Sequence, residues 1–293
     1  MPATPAYRLM GVVNVTPDSF SDGGSFLDPD AALSHARELV SEGADILDIG
    51  GESTRPGAEP VGADEELRRV LPVLEGIAEA GIDAQVSIDT SKASVAHAAI
   101  AAGAGIVNDV SALRADPAMV EVIAAGGVDC CLMHMLGEPR TMQAGAAGGP
   151  QYEDVVDEVK AFLEARLQFA VRAGVAEERI MLDPGIGFGK TVAHNLTLLE
   201  RLGELAALGR PLVVGTSRKS FIGRVIAAAA GEAQAVALER RLPGTIATNV
   251  LALERGASVF RVHDVRAVRD ALALAAATLG GRWTARAGTT QTS

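Results

Sequence analysis

The sequence predicts a single (β/α)8 barrel of the TIM type, with its active site at the C-terminal ends of the strands. Three observations carry this. Eight short apolar runs recur, helix-length stretches rich in Ala, Leu and Glu separate them, and a polar or glycine-rich segment follows each run. The length of 293 residues fits, since such a barrel typically needs about 250. A hydrophobic fraction of 48% can fill a large core, and with aromatics at 3% that core must be built from Ala, Val, Leu and Ile.

The runs are Leu9 to Val15, Asp45 to Gly50, Gln85 to Asp89, Gly105 to Val110, Asp129 to His134, Arg179 to Asp183, Pro211 to Gly215 and Ser258 to His263. Most are continuous rather than alternating, the pattern of parallel strands buried on both faces. Helical spacing appears in Ala31 to Ser41, Asp64 to Ala80, Tyr152 to Ala173 and Asn195 to Leu208. Gly43, Gly81, Gly103, Gly174 and Gly256 stand where a helix should stop before the next strand. Alternating β and α units require a parallel sheet, and eight of them favour closure over an open sheet. Residues 1–282 therefore read as one barrel domain and 283–293, small and polar, as a disordered tail. Gly145 to Gln151 lies between a strand and its helix and reads as a loop, not a linker.

A net charge of −11 with few aromatics argues against a nucleic-acid partner, which needs a basic stripe or stacking platforms. No apolar run approaches the roughly 18 residues of a membrane span, and Met1 to Met10 lacks the features of a signal peptide. Cys130 and Cys131 sit side by side in an apolar run and are expected to be buried thiols. A cytoplasmic location is the expectation.

Read in chain direction, the strands end on Asn14, Asp48, Asp89, Asn108-Asp109, His134, Asp183, the TSRKS segment with Lys219, and the pair Arg261 and His263. In a barrel all these ends lie on one face, so residues far apart in sequence converge on one pocket. Taken singly, an Asp or Asn at a strand end is more often a cap or turn former. Asp89 or Asp109 could cap the helix that follows, Asp48 could be a buried hydrogen-bonding group, and His134, between two methionines, reads as a core or supporting residue. That alternative does not explain cations set beside acids at so many strand ends, nor two long glycine-rich loops after the first two strands.

Two near-motifs fall away. Gly189-Lys190-Thr191 resembles the end of a phosphate-cradling loop, but Pro184 stands where its first glycine must be. Gly185, Gly187 and Gly189 give GxGxG rather than the dinucleotide fingerprint.

The residue types point to a flat heterocycle carrying an anion. A carboxylate such as Asp183 or Asp89 can accept two parallel N–H bonds from an amino-pyrimidinone edge, with Asn108 beside it. Lys219 could meet a ring carbonyl. Arg55, Arg261 and His263 supply donors for an anion, and Asn14 offers a hard oxygen to a cation. Mg²⁺ needs only one or two protein oxygens when phosphates and waters complete its shell.

The segments MGVVNVTPDSFSDGG, DIGGESTRPGA, SIDTSK, VNDVSA, LMHMLGEPRTMQ, LDPGIGFGKT, TSRKSFIG and FRVHDV resemble the dihydropteroate synthases of folate biosynthesis, from Met10 to about Leu279. The resemblance implies an enzyme that joins 6-hydroxymethyl-7,8-dihydropterin diphosphate to 4-aminobenzoate with Mg²⁺, by an SN1-like route. It implies that Asp89, Asn108, Asp183 and Lys219 hold the pterin, with Met133 packed on it. Asn14, Asp22, Arg55, Arg261 and His263 would hold the diphosphate, Asn14 also its metal. Thr54, Pro56, Phe188, Ser217 and Ser220 would hold aminobenzoate, where sulfonamides compete. Lys219, Asp89, Arg261 and His263 would carry the catalysis. A homodimer is implied too, with Arg266 to Leu279 as a candidate surface. The small insertion from Ala144 to Gly149 and the tail depart from the family pattern without touching a matched residue. Two rivals remain at this stage. A pterin-binding methyltransferase has no use for Arg261 with His263, and a non-catalytic pterin-binding barrel should have lost loop residues or Lys219.

Overall fold

The computed structural model describes residues 6–16, 28–54, 57–137, 142 and 149–280. Asp22, Arg55, Pro56, most of the expected insertion and the tail lie outside the described residues. The strands are β1 (Arg8–Asn14), β2 (Ile46–Gly50), β3 (Gln85–Asp89), β4 (Ile106–Asp109), β5 (Asp129–Met133), β6 (Ile180–Asp183), β7 (Val213–Val214) and β8 (Val259–Val262). Each coincides with one of the apolar runs. The main helices are α1 (Pro29–Glu42), α2 (Ala63–Glu79), α3 (Ala93–Ala101), α4 (Met119–Gly126), α5 (Val155–Arg172), α6 (Val192–Glu200), α7 (Leu202–Ala206), α8 (Ser220–Ala230), α9 (Leu242–Glu254) and α10 (Val265–Gly280).

All pairings are parallel, in the order β6-β5-β4-β3-β2-β1-β8-β7. A bridge between Leu182 and Leu212 joins the two ends of that order, supported by the Leu182 amide donating to the Pro211 carbonyl at 3.0 Å. The sheet thus closes on itself, as the count of eight units led one to expect.

The helix stops behave as read. Gly43, Gly81, Gly103, Gly174 and Gly256 all take positive φ. At Gly43 (φ 104°) the left-handed turn lets its amide reach the Val40 carbonyl while Ala44 reaches Leu39, a reversal that a side chain would strain. One helix differs from expectation. The stretch Asn195 to Leu208 is two helices broken at Arg201, whose backbone leaves the helical region (φ −99°, ψ 21°). There Arg201 reaches Asp154 at 2.7 Å, and Gly203 in the next turn is a poor helix former. The first of the two starts earlier than expected because Thr191 caps it with a reciprocal bond to His194.

Packing explains where the active site can form. Alternate strand residues point inward, and the lower interior layer is apolar: Met10, Ile46, Ile106, Cys131, Met181, Val213 and Val259 form one buried cluster. Two residues further along several of the same strands, the inward position turns polar. It is Asp48 after Ile46, Asn108 after Ile106, Asp183 after Met181 and Arg261 after Val259. The outward positions, among them Leu47, Ile49, Ile88, Val107, Leu132 and Phe260, pack against the helices. Cys130 and Cys131 are buried free thiols on opposite sides of β5. Among the described residues no helix is long and apolar enough to cross a membrane.

Candidate active site

Register sets the strand ends level. Asn14 pairs with Gly50, Gly50 with Asp89, Asp89 with Asn108, and Met133 with Asp183. Above that level lies a cleft lined by Thr54, Asp89, Asn108, Val110, Met133, Asp183, Phe188, Gly215, Ser217, Lys219, Arg261 and His263. Most residues expected at the site meet here. Asn14 and Ser220 are not in the lining. Asn14 stands beside Asp89, on the far side of Gly50, where a Cβ would lie 3.7 Å from the Asn14 Oδ1 and 3.5 Å from the Asp89 Cβ. Ser220 opens α8 and is exposed.

The centre is a clamp of three charged groups. Arg261 donates from Nε to Asp48 at 2.6 Å and from Nη2 to Asp89 at 2.8 Å. Asp48 is fully buried and also accepts from the Ser87 hydroxyl at 2.7 Å and the Asn108 amide at 3.1 Å. It is the buried hydrogen-bonding group foreseen, and more, because it orients both Asn108 and Arg261. Asp89 does not cap α3. It is spent on Arg261, while the first amide of α3, on Ala93, is capped from another loop by Asp116 at 2.9 Å. Burial raises the Asp89 carboxyl to about 7; Arg261 opposes the rise and Asp48 adds to it.

Asp109, the other candidate cap, is a turn former. Its carboxylate accepts from the amides of Ser111 and Leu113, both at 2.8 Å, and steadies a turn in which Ala112 and Leu113 both take positive φ. Arg166 grips the same turn through the carbonyl of Ala112 at 2.8 Å.

Asp183 is buried and accepts from the Gly185 amide at 2.6 Å. Burial raises its pKa, with Lys219 the main opposing influence. Lys219 donates to the Ile186 carbonyl and lies over the Phe188 ring, 4.6 Å from its centre. Burial pulls its amine down to about 8; Asp183 holds it up and Arg261 pushes it further down. The GxGxG segment explains itself at this point. Gly185 (φ 65°) runs so close to the strand end before it that a Cβ would fall 1.9 Å from the His134 carbonyl oxygen. At Gly189 (φ 60°) the same test meets the Leu136 carbonyl at 2.5 Å. These glycines let two loops press together and do not cradle a dinucleotide.

Lys190 likewise binds no phosphate loop. It is buried, with Nζ 2.9 Å from the His134 Nδ1 and 3.0 Å from the Phe188 carbonyl. Burial lowers the Lys190 amine to about 7 and the His134 imidazole to about 3. His134 is thus a neutral acceptor in the wall behind the cleft, a supporting residue as expected. Ser217 is shared between elements. Its Oγ accepts from the His263 amide at 3.2 Å and lies 3.0 Å from the His263 Nδ1. Arg218 turns away (φ 59°) to pair with Asp264 at 2.8 Å.

With this geometry in hand, comparison with known proteins decides the family. A model of pterin-binding enzymes matches residues 10–263. The dihydropteroate synthase of Escherichia coli K12 is 43% identical over 275 residues, 94% of this chain and 93% of the relative. The chain belongs to the dihydropteroate synthases. A Yersinia pestis dihydropteroate synthase solved with a sulfonamide drug complex superposes with a TM-score of 0.87 at 42% identity, covering 95% of this chain and 96% of that one. A Xanthomonas albilineans dihydropteroate synthase in complex with 7,8-dihydropteroate gives 0.81 at 43% identity, covering 95% of each chain.

Three residues in or behind the cleft do not belong to the polar strand ends that the sequence marks. Val110 and Gly215 line the cleft, and Lys190 stands directly behind it. Gly215 ends an apolar run and Val110 sits beside the flagged Asn108-Asp109, so position alone could have found both. Lys190 carries no such signal, because its partners come from the β5 loop.

Proposed function

We propose that this chain condenses 6-hydroxymethyl-7,8-dihydropterin diphosphate with 4-aminobenzoate, giving 7,8-dihydropteroate and diphosphate, and that the cleft is divided between the two substrates. The observation that carries the reading is the Asp48–Arg261–Asp89 clamp set beside Asp183 and Lys219 in one cleft. In our reading Asp183, Asn108 and Asp89 accept from the pterin's N–H edge, Lys219 donates to its ring carbonyl, and Met133 packs on its face. Arg261 still has Nη1 for the diphosphate, with His263 next to it. Thr54, Phe188 and Ser217 face aminobenzoate, with Ser220 at its edge; Arg55, read with the diphosphate, and Pro56, read with aminobenzoate, lie outside the described residues. Ser217, bonded to His263, stands where the two subsites meet.

The nucleophile is a neutral aryl amine, so no strong base is required. The hard step is departure of diphosphate while the pterin methylene gains positive charge. Donors fixed beforehand on the leaving oxygens, from Arg261 and His263, stabilise the charge that develops there. Asp89 and Asp183, at the N–H edge of the ring, offset the positive charge. An SN1-like order, with the C–O bond breaking before the amine attacks, also requires the cleft to keep out water, which would trap the cation as an alcohol.

Mg²⁺, when bound, would neutralise charge on the leaving diphosphate. Asn14 offers it a single hard oxygen. Mg²⁺ needs only one or two protein oxygens when substrate phosphates and waters complete its shell. The reaction is placed in the cytoplasm, where both cysteines stay reduced. A homodimer is proposed as well. Leu274 on α10, 72% exposed, supports a contact on that face, and a monomeric mass by light scattering would remove the idea.

In the assay that tests the activity, purified protein with Mg²⁺ and the pterin diphosphate releases diphosphate only once 4-aminobenzoate is added. A sulfonamide should raise the apparent KM for 4-aminobenzoate, and a chelator should slow release. If 4-aminobenzoate triggers no diphosphate release, the proposed reaction is wrong.

A further inference from the structure

Beside the cleft, three charged residues from three elements meet in a way the reaction does not explain. Lys92, at the start of α3, places its Nζ 2.5 Å from Glu52 Oε2 and 2.5 Å from Glu66 Oε2. Glu66, in the first turn of α2, is fully buried, and its Oε1 has no hydrogen-bond partner among the described residues. Lys92 and Glu52 are each 24% exposed. This is no surface ion pair of small effect, because the buried Glu66 carboxylate depends on Lys92, the one cation bonded to it among the described residues.

The position of the triad gives it a task. Glu52 stands at the neck of the loop that follows β2, and its Oε1 accepts from the Val61 amide at 2.9 Å, tying the two ends of that loop together. Arg69 adds a bond to the Gly51 carbonyl at 2.8 Å. The neck also presses on α2: a Cβ on Gly51 would lie 2.9 Å from the Glu66 Cγ and 2.8 Å from the Val70 Cγ1. Thr54, two residues beyond Glu52, lines the cleft, while Asp89, three residues before Lys92, forms its floor. Lys92 therefore joins the segment that carries the floor to the segment that carries Thr54.

We propose that Glu52, Lys92 and Glu66 are positioning residues that hold the loop after β2 over the cleft and so set the site of the second substrate. The proposal rests on the reading of Thr54 as part of the aminobenzoate site, and none of the three need touch a substrate. A misplacement on the order of 1 Å can cost about 100-fold in rate, so loosening the neck should be visible without any change in the floor.

The test uses the full chain. In Lys92→Met, KM for 4-aminobenzoate should rise about tenfold or more, with the pterin diphosphate affinity by calorimetry within about twofold of the parent. Hydrogen exchange at the Val61 amide should speed up in the same variant. Lys92→Arg should restore both. Unchanged KM together with unchanged Val61 exchange overturns the proposal, and so does an equal loss of pterin affinity, which would mark general damage. If Lys92→Met does not fold, Glu52→Gln gives the same KM-against-affinity comparison, since Gln keeps an acceptor for Val61 and loses the charge that faces Lys92. Val61 exchange needs no substrate. A parent protein that ignores 4-aminobenzoate would thus defeat the proposed reaction while exchange still decides the role of the triad.

Discussion

Replacing Arg261 with Met should cost both stability and activity, and the stability loss should shrink in acid. The guanidinium is the one cation bonded to Asp48 and Asp89 among the described residues, and Asp48 is fully buried. Removing one partner of a buried ion pair costs about 3–5 kcal/mol; with Arg261 itself 24% exposed, about 2–3 kcal/mol is expected at neutral pH. The direction with pH follows from Asp89, whose carboxyl burial already raises to about 7 and which must rise further once the opposing cation is gone. A raised folded-state pKa means the folded protein holds the proton more tightly than the unfolded chain. The stability this group contributes is then present below the ordinary carboxylate range and lost as pH climbs through about 7. Denaturant unfolding at pH 7.5 and pH 5.5 should show a large gap between parent and variant at the higher value and a smaller gap at the lower. Turnover should fall by about 100-fold or more, because a fixed donor to the leaving group is lost. Arg261→Lys, which keeps charge but not the fork, should recover stability better than turnover. A variant as stable as the parent at pH 7.5 would show that the clamp is not a dependence of the fold.

How much of this could be read from the chain follows from which interactions are local. The strands were legible because each is a buried apolar run, and their ends because a barrel puts them on one face. The five glycine stops were legible because only a left-handed residue lets the chain reverse there. Side-chain pairing was not. Asp48 and Arg261 are 213 positions apart, and nothing in either run says that one will bond the other. For the same reason Asp89 reads equally well as a helix cap until Arg261 is found on it and Asp116 is found doing the capping. The break at Arg201 is not legible in the sequence because the apolar spacing runs on through it, while one of the partners of Arg201 there, Asp154, belongs to a different element. Lys92 stands in a segment whose resemblance to the family was plain, yet its role depends on a buried Glu66 that looks in sequence like one more acid in a helical first turn.

The second large effect, and the most direct measure of the account, concerns the floor. Asp183 is buried at the end of β6, with one oxygen held by the Gly185 amide at 2.6 Å. Asn fits the same space and can keep that bond, so Asp183→Asn should fold normally. It cannot accept two N–H bonds from an amino-pyrimidinone edge, and it turns a donor toward donors. Hydrogen bonds to a charged group contribute about 1.5–3 kcal/mol each, so the loss should reach about 100-fold in affinity or more. The decisive measurement is titration calorimetry of parent and Asp183→Asn with the pterin diphosphate and Mg²⁺, at matched thermal stability. The account predicts tight binding by the parent and a loss of about 100-fold or more in the variant. Near-equal affinity, with both proteins folded, would mean that the pterin does not rest on the strand-end floor.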